Sequence, residues 1–165
     1  MQDTRLQPSI EEVTVWLEQV KDPEIPVLSL LDLGVITNID ISINQVNIEI
    51  TPTFVGCPAI HVMKEEIVQV IRKQGIENVS VKISFKKPWS SDMISEKGKT
   101  ALKKFGLAPP PPMAYITDID LLEHAHCPRC SSTNTEIKSP FGSTLCRSIH
   151  YCFDCKEAFE QFKPL

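Results

Sequence analysis

Two cysteine pairs constrain this chain more than any other feature: Cys127-Pro128-Arg129-Cys130 and Cys152-Phe153-Asp154-Cys155, with 21 residues between them. Each C-x-x-C step brings two sulfurs to one tetrahedral ion, and the intervening residues can form a hairpin that returns to it. The spacing lies just past the usual range for such ribbons. So short a segment cannot bury enough core to fold unaided, so a bound metal would supply much of its stability. Zinc is the expected ion. Iron held by four thiolates is the main rival, because the ligand set alone does not choose. The bland alternative is a set of reduced, buried cysteines without an ion, or a redox pair. Four sulfurs leave no open catalytic position, and the site reads as structural.

The same segment holds other sulfur and nitrogen donors. Cys146 is a fifth thiol, read either as a packed apolar residue or as an alternative ligand. His124, His126 and His150 have donor atoms too, but the quartet leaves them no vacancy. Ser131 and Lys156 stand where a glycine often follows the second cysteine of a knuckle.

How the cysteines are read depends on the compartment. The N-terminal Met1-Gln2-Asp3-Thr4-Arg5 has no basic region leading into an apolar core, so no export signal is expected. A cytoplasmic, reducing location follows, with thiols or metal ligands instead of disulfides. No apolar run approaches the roughly 20 residues that span a bilayer, so no membrane association is expected. The formal net charge of −4 argues against a broad nucleic-acid surface, which needs clustered Lys and Arg. Lys86-Lys87 and Lys103-Lys104 read as solvated ends of elements.

Upstream of the cysteines the pattern is that of an α+β domain. Ser9 and Glu12 form a capping box, and Ile10, Val13, Trp16, Leu17 and Val20 recur at helical spacing over about residues 9–20. Asp22-Pro23 ends that helix. An apolar connection, residues 27–34, runs to Gly34. Ile39, Ile41 and Ile43 alternate with polar residues, as do Val46, Ile48 and Ile50, and Asn44-Gln45 is the expected turn of a hairpin. Pro58 opens a second helix with a stripe of Ile60, Met63, Ile67, Val70 and Ile71, closed by Gly75. Val79, Val81, Ile83 and Phe85 suggest a third strand, and residues 92–104 a third helix capped by Gly106. The expected order is α-β-β-α-β-α, a small three-stranded sheet packed with helices, followed by a small β-rich zinc-ribbon-like domain. Four prolines at residues 109–112 form a stiff spacer. The expected layout is thus 1–106 for the α+β domain, 107–120 for a linker and 121–165 for the ribbon.

Cys57 is the remaining chemical feature. It follows Gly56 at the expected N-cap of the second helix, where exposed amides and the helix dipole favour a thiolate and would depress its pKa. Thr51 and Thr53 offer hydroxyls nearby. A reactive or metal-binding sulfur is one reading; a small buried cysteine that fills space is the other. Asp22 and Glu24 are candidates for a second polar cluster, or simply turn formers.

Asp22-Pro23-Glu24-Ile25-Pro26, Leu33-Gly34-Val35-Ile36 and residues 51–58 together resemble the small domain of iron–sulfur cluster assembly and maturation factors. With the proline-rich link, the two cysteine pairs and Phe141-Gly142-Ser143-Thr144, nearly the whole chain resembles the D-subunit family of the phenylacetyl-CoA epoxidases (the PaaD family). The resemblance implies a pocket lined by Asp22, Glu24, Thr51, Thr53 and Cys57, in which Cys57 touches iron or a cluster intermediate. Phe54 departs from the wider assembly family, which often has a small hydroxyl residue there. It also implies an accessory protein of phenylacetate catabolism that matures or repairs the iron–sulfur or iron centres of its partner oxygenase and iron–sulfur reductase. Two other functions compete: a purely structural subunit that bridges those partners, and a thiol enzyme using Cys57 with His61 as base, for which no orienting group or oxyanion loop is evident.

Overall fold

A computed structural model describes residues 7–43, 45–112 and 125–164. The chain forms two compact units, Met1–Pro88 and Trp89–Leu165.

The first unit begins with α1 (Ile10–Leu17), whose start is fixed by the expected capping box. The Ser9 hydroxyl accepts from the Glu12 amide at 3.1 Å, and the Ser9 amide donates to the Glu12 carboxylate at 2.8 Å. Two amides that the helix leaves unpaired are thereby satisfied. Val13 and Leu17 face the core, and Val20 continues the stripe past the helix end. The apolar connection is interior: Leu28, Leu30, Leu33 and Val35 are fully buried. Its backbone turns on Ser29, whose hydroxyl accepts from the Asp32 amide, and on Gly34, whose φ of 74° suits a residue without Cβ.

Strands β1 (Ile36–Ser42) and β2 (Gln45–Ile50) form the hairpin, and β2 also pairs in parallel with β3 (Asn78–Ile83), giving the order β1-β2-β3. Parallel pairing needs a crossover, which α2 (Ile60–Arg72) supplies. β2, with a neighbour on each side, buries Val46, Ile48 and Ile50 as its alternation predicts. On α2, Ile60, Met63, Ile67 and Ile71 are buried, and the helix packs against β3 and α1.

Four details differ from the sequence reading. The helix expected over about residues 9–20 stops at Leu17, before Asp22-Pro23 is reached, and Ile10 of its expected stripe is exposed. Gln45 pairs with Ser42, so it belongs to β2 and not to the turn. Ile43 is exposed, because the alternation of an edge strand runs on past the last residue that the sheet covers. Ile83 and Phe85 are also exposed: β3 is the other edge, and its ladder stops at Ile83.

The second unit starts at Trp89. A single 3-10 turn (Ser91–Met93) precedes α3 (Glu96–Phe105), which is shorter than the expected 92–104 at its start because Ser95 is the N-cap: its hydroxyl accepts from the Gly98 amide. Gly106 ends the helix in the left-handed region, φ 92°, as expected. Leu107–Ala108 then form β4, which pairs in parallel with β7 (Glu157–Phe162). With β5 (Thr135–Ser139) and β6 (Arg147–Cys152) the second sheet has the order β4-β7-β6-β5, and its other pairs are antiparallel.

Composition alone places α3 with the first domain and residues 107–120 in a spacer. The contacts group α3 and β4 with the cysteine-rich unit. The Trp89 ring lies 5.7 Å from that of Phe162, and Lys103 Nζ donates to Ser131 Oγ at 3.1 Å. A ribbon alone is too small for a core; this unit also buries Trp89, Ile94, Leu102, Leu107 and Phe162, beside a cluster of Ala108, Ala125, Cys127, Cys152 and Phe159. Part of the expected spacer, residues 113–120, lies outside the described residues. No described helix is long and apolar enough to cross a membrane.

Candidate metal centre

The four cysteines of the two pairs converge. Their sulfurs all lie within 4.8 Å of one another, and among the described residues no other group of three or more His, Cys, Asp or Glu side chains is so placed. Cys127 Sγ is 3.7 Å from Cys155 Sγ, and Cys130 Sγ is 3.5 Å from Cys152 Sγ. A tetrahedral ion with metal–sulfur bonds of about 2.3 Å has sulfur–sulfur edges of about 3.8 Å, close to these separations. A disulfide would need about 2.05 Å. The donor set and its geometry therefore fit a four-thiolate metal site.

The backbone builds this site twice over. In the first knuckle the Ser131 amide donates to the Cys127 carbonyl, and the Cys127 amide to the Ser132 carbonyl, both at 2.9 Å. The second knuckle is the turn of the β6–β7 hairpin, closed by the pairing of Cys152 with Glu157. Ser131 and Lys156, the residues that follow the second cysteine of each pair, have φ of 61° and 59°. Both occupy the left-handed conformation that glycine adopts more cheaply.

Protonation differs among Cys130, Cys152 and Cys155. The amide of Cys155 donates to Cys152 Sγ and, with that of Asp154, holds the Cys152 thiol down at about 7 against its burial. Burial, together with the neighbouring sulfurs, pushes Cys155 up to about 12. Cys130 receives a hydrogen bond from the Ser132 amide, yet burial and the Cys152 and Cys127 sulfurs still raise it. Four crowded sulfurs cannot all ionise without compensating charge, and a divalent cation provides it.

A link between the knuckles went unread in the sequence. The Asp154 carboxylate accepts from Ser132 Oγ at 2.6 Å and from Asn134 Nδ2 at 2.7 Å, and the Phe153 amide donates to the Asn134 carbonyl at 3.0 Å. The Ser132 and Asn134 hydrogen bonds hold the Asp154 carboxyl below the usual carboxylate range. The available signal was an acidic residue inside C-x-x-C facing a Ser/Asn run after the other pair.

The remaining donors stand apart. Cys146 is buried with its sulfur 3.0 Å from Thr144 Oγ1. His150 is a core residue, stacked on Phe159 with its Nε2 3.0 Å from Ser148 Oγ. His126 is exposed, and His124 lies outside the described residues. The Phe141-Gly142-Ser143-Thr144 motif builds a clamp: Glu160 accepts from the Ser143 amide and hydroxyl and from Arg147 Nη1. A Cβ on Gly142 would meet Glu160 Oε1 at 2.7 Å and Arg147 Cβ at 2.9 Å, so only glycine fits there without displacement.

In the first unit, Cys57 is half-buried and precedes α2, but the N-cap is Ala59. Ala59 already has helical angles and its carbonyl accepts the Met63 amide, while the Cys57 carbonyl accepts the Ile60 amide in a turn outside the helix. Neither Cys57 nor Pro58 therefore sits at the helical position the sequence suggested. Gly56 has φ of 86°, which explains a glycine in this turn. Asp22 is buried and its Oδ1 accepts from the Glu24 and Ile25 amides at 2.9 and 2.8 Å, the turn-forming role of its reading. Glu24 is exposed, Thr53 half-buried, and Thr51 buried with its hydroxyl 3.4 Å from that of Thr37.

Comparison over the whole length decides the family. The chain is 33% identical over 156 residues to an Escherichia coli (strain K12) protein named as the D component of a "Putative 1,2-phenylacetyl-CoA epoxidase", covering 94% of this chain and 93% of that relative. The chain belongs to the phenylacetyl-CoA epoxidase D-subunit (PaaD) family. The D-subunit assignment agrees with two family models. One, described as the PaaD zinc beta ribbon domain, matches residues 116–163; the other, described as an iron–sulfur cluster assembly protein, matches residues 10–85. The chain is also 34% identical over 94 residues to an "Fe-S protein maturation auxiliary factor" of Porphyromonas gingivalis, covering 56% of this chain and 89% of that one. Among solved structures, a domain of unknown function from Bacillus anthracis aligns with TM-score 0.52 at 26% identity, covering 56% of this chain and 89% of its own. A conserved hypothetical protein from Thermotoga maritima aligns with TM-score 0.50 at 28% identity, covering 61% and 97%.

Proposed function

We propose that this D-subunit family member is an accessory component of a phenylacetyl-CoA epoxidase in the cytoplasm, and that it matures or repairs the iron–sulfur or iron centres of the partner oxygenase and iron–sulfur reductase. The observation that carries the reading is the union, in one chain, of an assembly-type domain and a closed four-thiolate ribbon. Relatives named for the epoxidase and for iron–sulfur maturation support the two halves.

The two sulfur populations have different tasks. Cys127, Cys130, Cys152 and Cys155 hold a structural zinc ion: four thiolates leave no exchangeable position, and such sites contribute folding energy. Iron or a cluster is cargo, and its proposed contact is Cys57, with Asp22, Glu24, Thr51 and Thr53 shaping the surroundings. A single thiolate suits brief binding, whereas four would oppose release. Anaerobic reconstitution with iron and sulfide tests this. Wild type should gain visible absorption that Cys57→Ser lacks, and Cys57→Ser should fail to restore activity to an iron-depleted oxygenase. Equal absorption and full restoration by the variant would refute the role of Cys57.

One observation favours a second reading, a purely bridging subunit: Cys57 lies off the helix terminus that would activate it. In that case Cys57→Ser leaves both catalysis and co-purification with the other subunits intact.

A further inference from the structure

The two knuckles bring their four sulfurs to one place, but they are also joined directly, and that joint has a single hub. Asp154 stands between the two cysteines of the second knuckle. Its Oδ2 accepts from Ser132 Oγ and its Oδ1 from Asn134 Nδ2. Both donors belong to the segment that leaves the first knuckle, and Ser132 also closes that knuckle by accepting the Cys127 amide at its carbonyl. Ser132 Oγ in turn accepts the Asn134 amide at 2.9 Å, so the segment is pre-shaped to present both donors to one carboxylate.

We propose that Asp154 is a positioning residue for the metal centre: by clamping Ser132 and Asn134 it locks the two knuckles together and sets how slowly the bound ion leaves. Release of a four-thiolate ion requires one pair of sulfurs to swing away from the other. Cys127 and Cys152 are fully buried and cannot lead that motion, whereas Cys130 is exposed and Cys155 half-buried. The clamp spans the knuckles beside these two more accessible ligands. Hydrogen bonds to an ionised acceptor are about twice as strong as neutral ones, and partners outside the ligand shell commonly change metal affinity by about 10- to 100-fold. Asp154 is exposed, which puts the expected effect at the lower end of that range.

The inference rests on the quartet binding a metal and not on the role of Cys57. The test uses the full chain loaded anaerobically with cobalt(II), whose thiolate charge-transfer absorption reports the ion directly. Excess chelator is added and the loss of absorption timed for wild type, Asp154→Ala, Ser132→Ala, the double variant, and Glu136→Gln, an exposed acid paired with Lys138. Asp154→Ala should release cobalt about fivefold to tenfold faster while its spectrum before chelation stays that of wild type, showing the same four sulfurs. Ser132→Ala should be faster by a smaller factor, the double variant no faster than Asp154→Ala alone, and Glu136→Gln unchanged. Release from Asp154→Ala within twofold of wild type overturns the inference, as does a double variant whose effects multiply. Should Asp154→Ala take up no cobalt, Asp154→Asn decides: a rate above wild type supports the clamp and a wild-type rate overturns it. A wild type that binds no cobalt refutes the metal centre itself.

Discussion

Cys130 Sγ and Cys152 Sγ lie 3.5 Å apart, one on an exposed turn and the other at the fully buried end of β6. The distance is a tetrahedral edge and not a covalent bond. An ion held there would tie the folding of the second unit to its occupancy, since without it the buried sulfurs of Cys127 and Cys152 lose a partner.

Metal removal should therefore loosen the ribbon. Hydrogen exchange measured before and after chelation should show protection lost across β5, β6 and β7, while β2 and α2 of the first unit keep theirs. The loss should be smaller than the ~10–16 kcal/mol of isolated zinc-finger peptides, because Trp89, Leu102 and Phe162 provide core that such peptides lack. Unchanged protection in β6 would show that the ion is dispensable.

Lys156 adopts a left-handed conformation that costs a side-chain-bearing residue about 1–2 kcal/mol, part of which glycine returns as unfolded-state entropy. Lys156→Gly should raise stability by about 0.5–1 kcal/mol, and Lys156→Val should lower it, as read by thermal unfolding of the metal-loaded protein. Ser131 is the poorer test, because its hydroxyl also accepts from Lys103.

Gly142→Ala should destabilise the second unit by about 1–3 kcal/mol, because the new methyl overlaps Glu160 and Arg147. Chemical denaturation should show the loss, and combining it with Glu160→Ala should relieve part of it.

The same clamp predicts an acid limb. Burial would raise the Glu160 carboxyl, but the Ser143 amide, Arg147 and the Ser143 hydroxyl together hold it below the usual range. A depressed folded-state pKa contributes stability that is fully present above the unfolded carboxylate value and is lost as pH falls through the folded one. Glu160→Gln should thus flatten the decline in stability below about pH 4.5, the region of an ordinary glutamate. A decline as steep as that of wild type would show that the clamp is not its source.

How much of this could be read in advance depended on the range of the interactions. The capping box of Ser9 and Glu12, the alternation of β2 and the stripe of α2 are local patterns, and each formed as read apart from Val70, which is only half-buried. The metal quartet was legible because ligand spacing is itself a geometric statement. Composition failed at residues 107–108, where a dipeptide beside a proline run joins the ribbon sheet through pairing with Glu160 and Gln161, far along the chain. Ile83 and Phe85 continue a buried pattern that the edge of a three-stranded sheet cannot cover. Cys57 missed the N-cap because two further residues, Pro58 and Ala59, are spent in a turn before the helix closes its first hydrogen bond. Asp154 was invisible because its donors lie some twenty residues away.

Metal content per chain, measured by elemental analysis after purification without chelator, tests the division between holding and transferring sulfurs most directly. One equivalent of zinc is expected in both wild type and Cys57→Ser, and essentially none in Cys152→Ser. Zinc-free wild type, or an ion that disappears with Cys57 and survives loss of Cys152, would contradict the account.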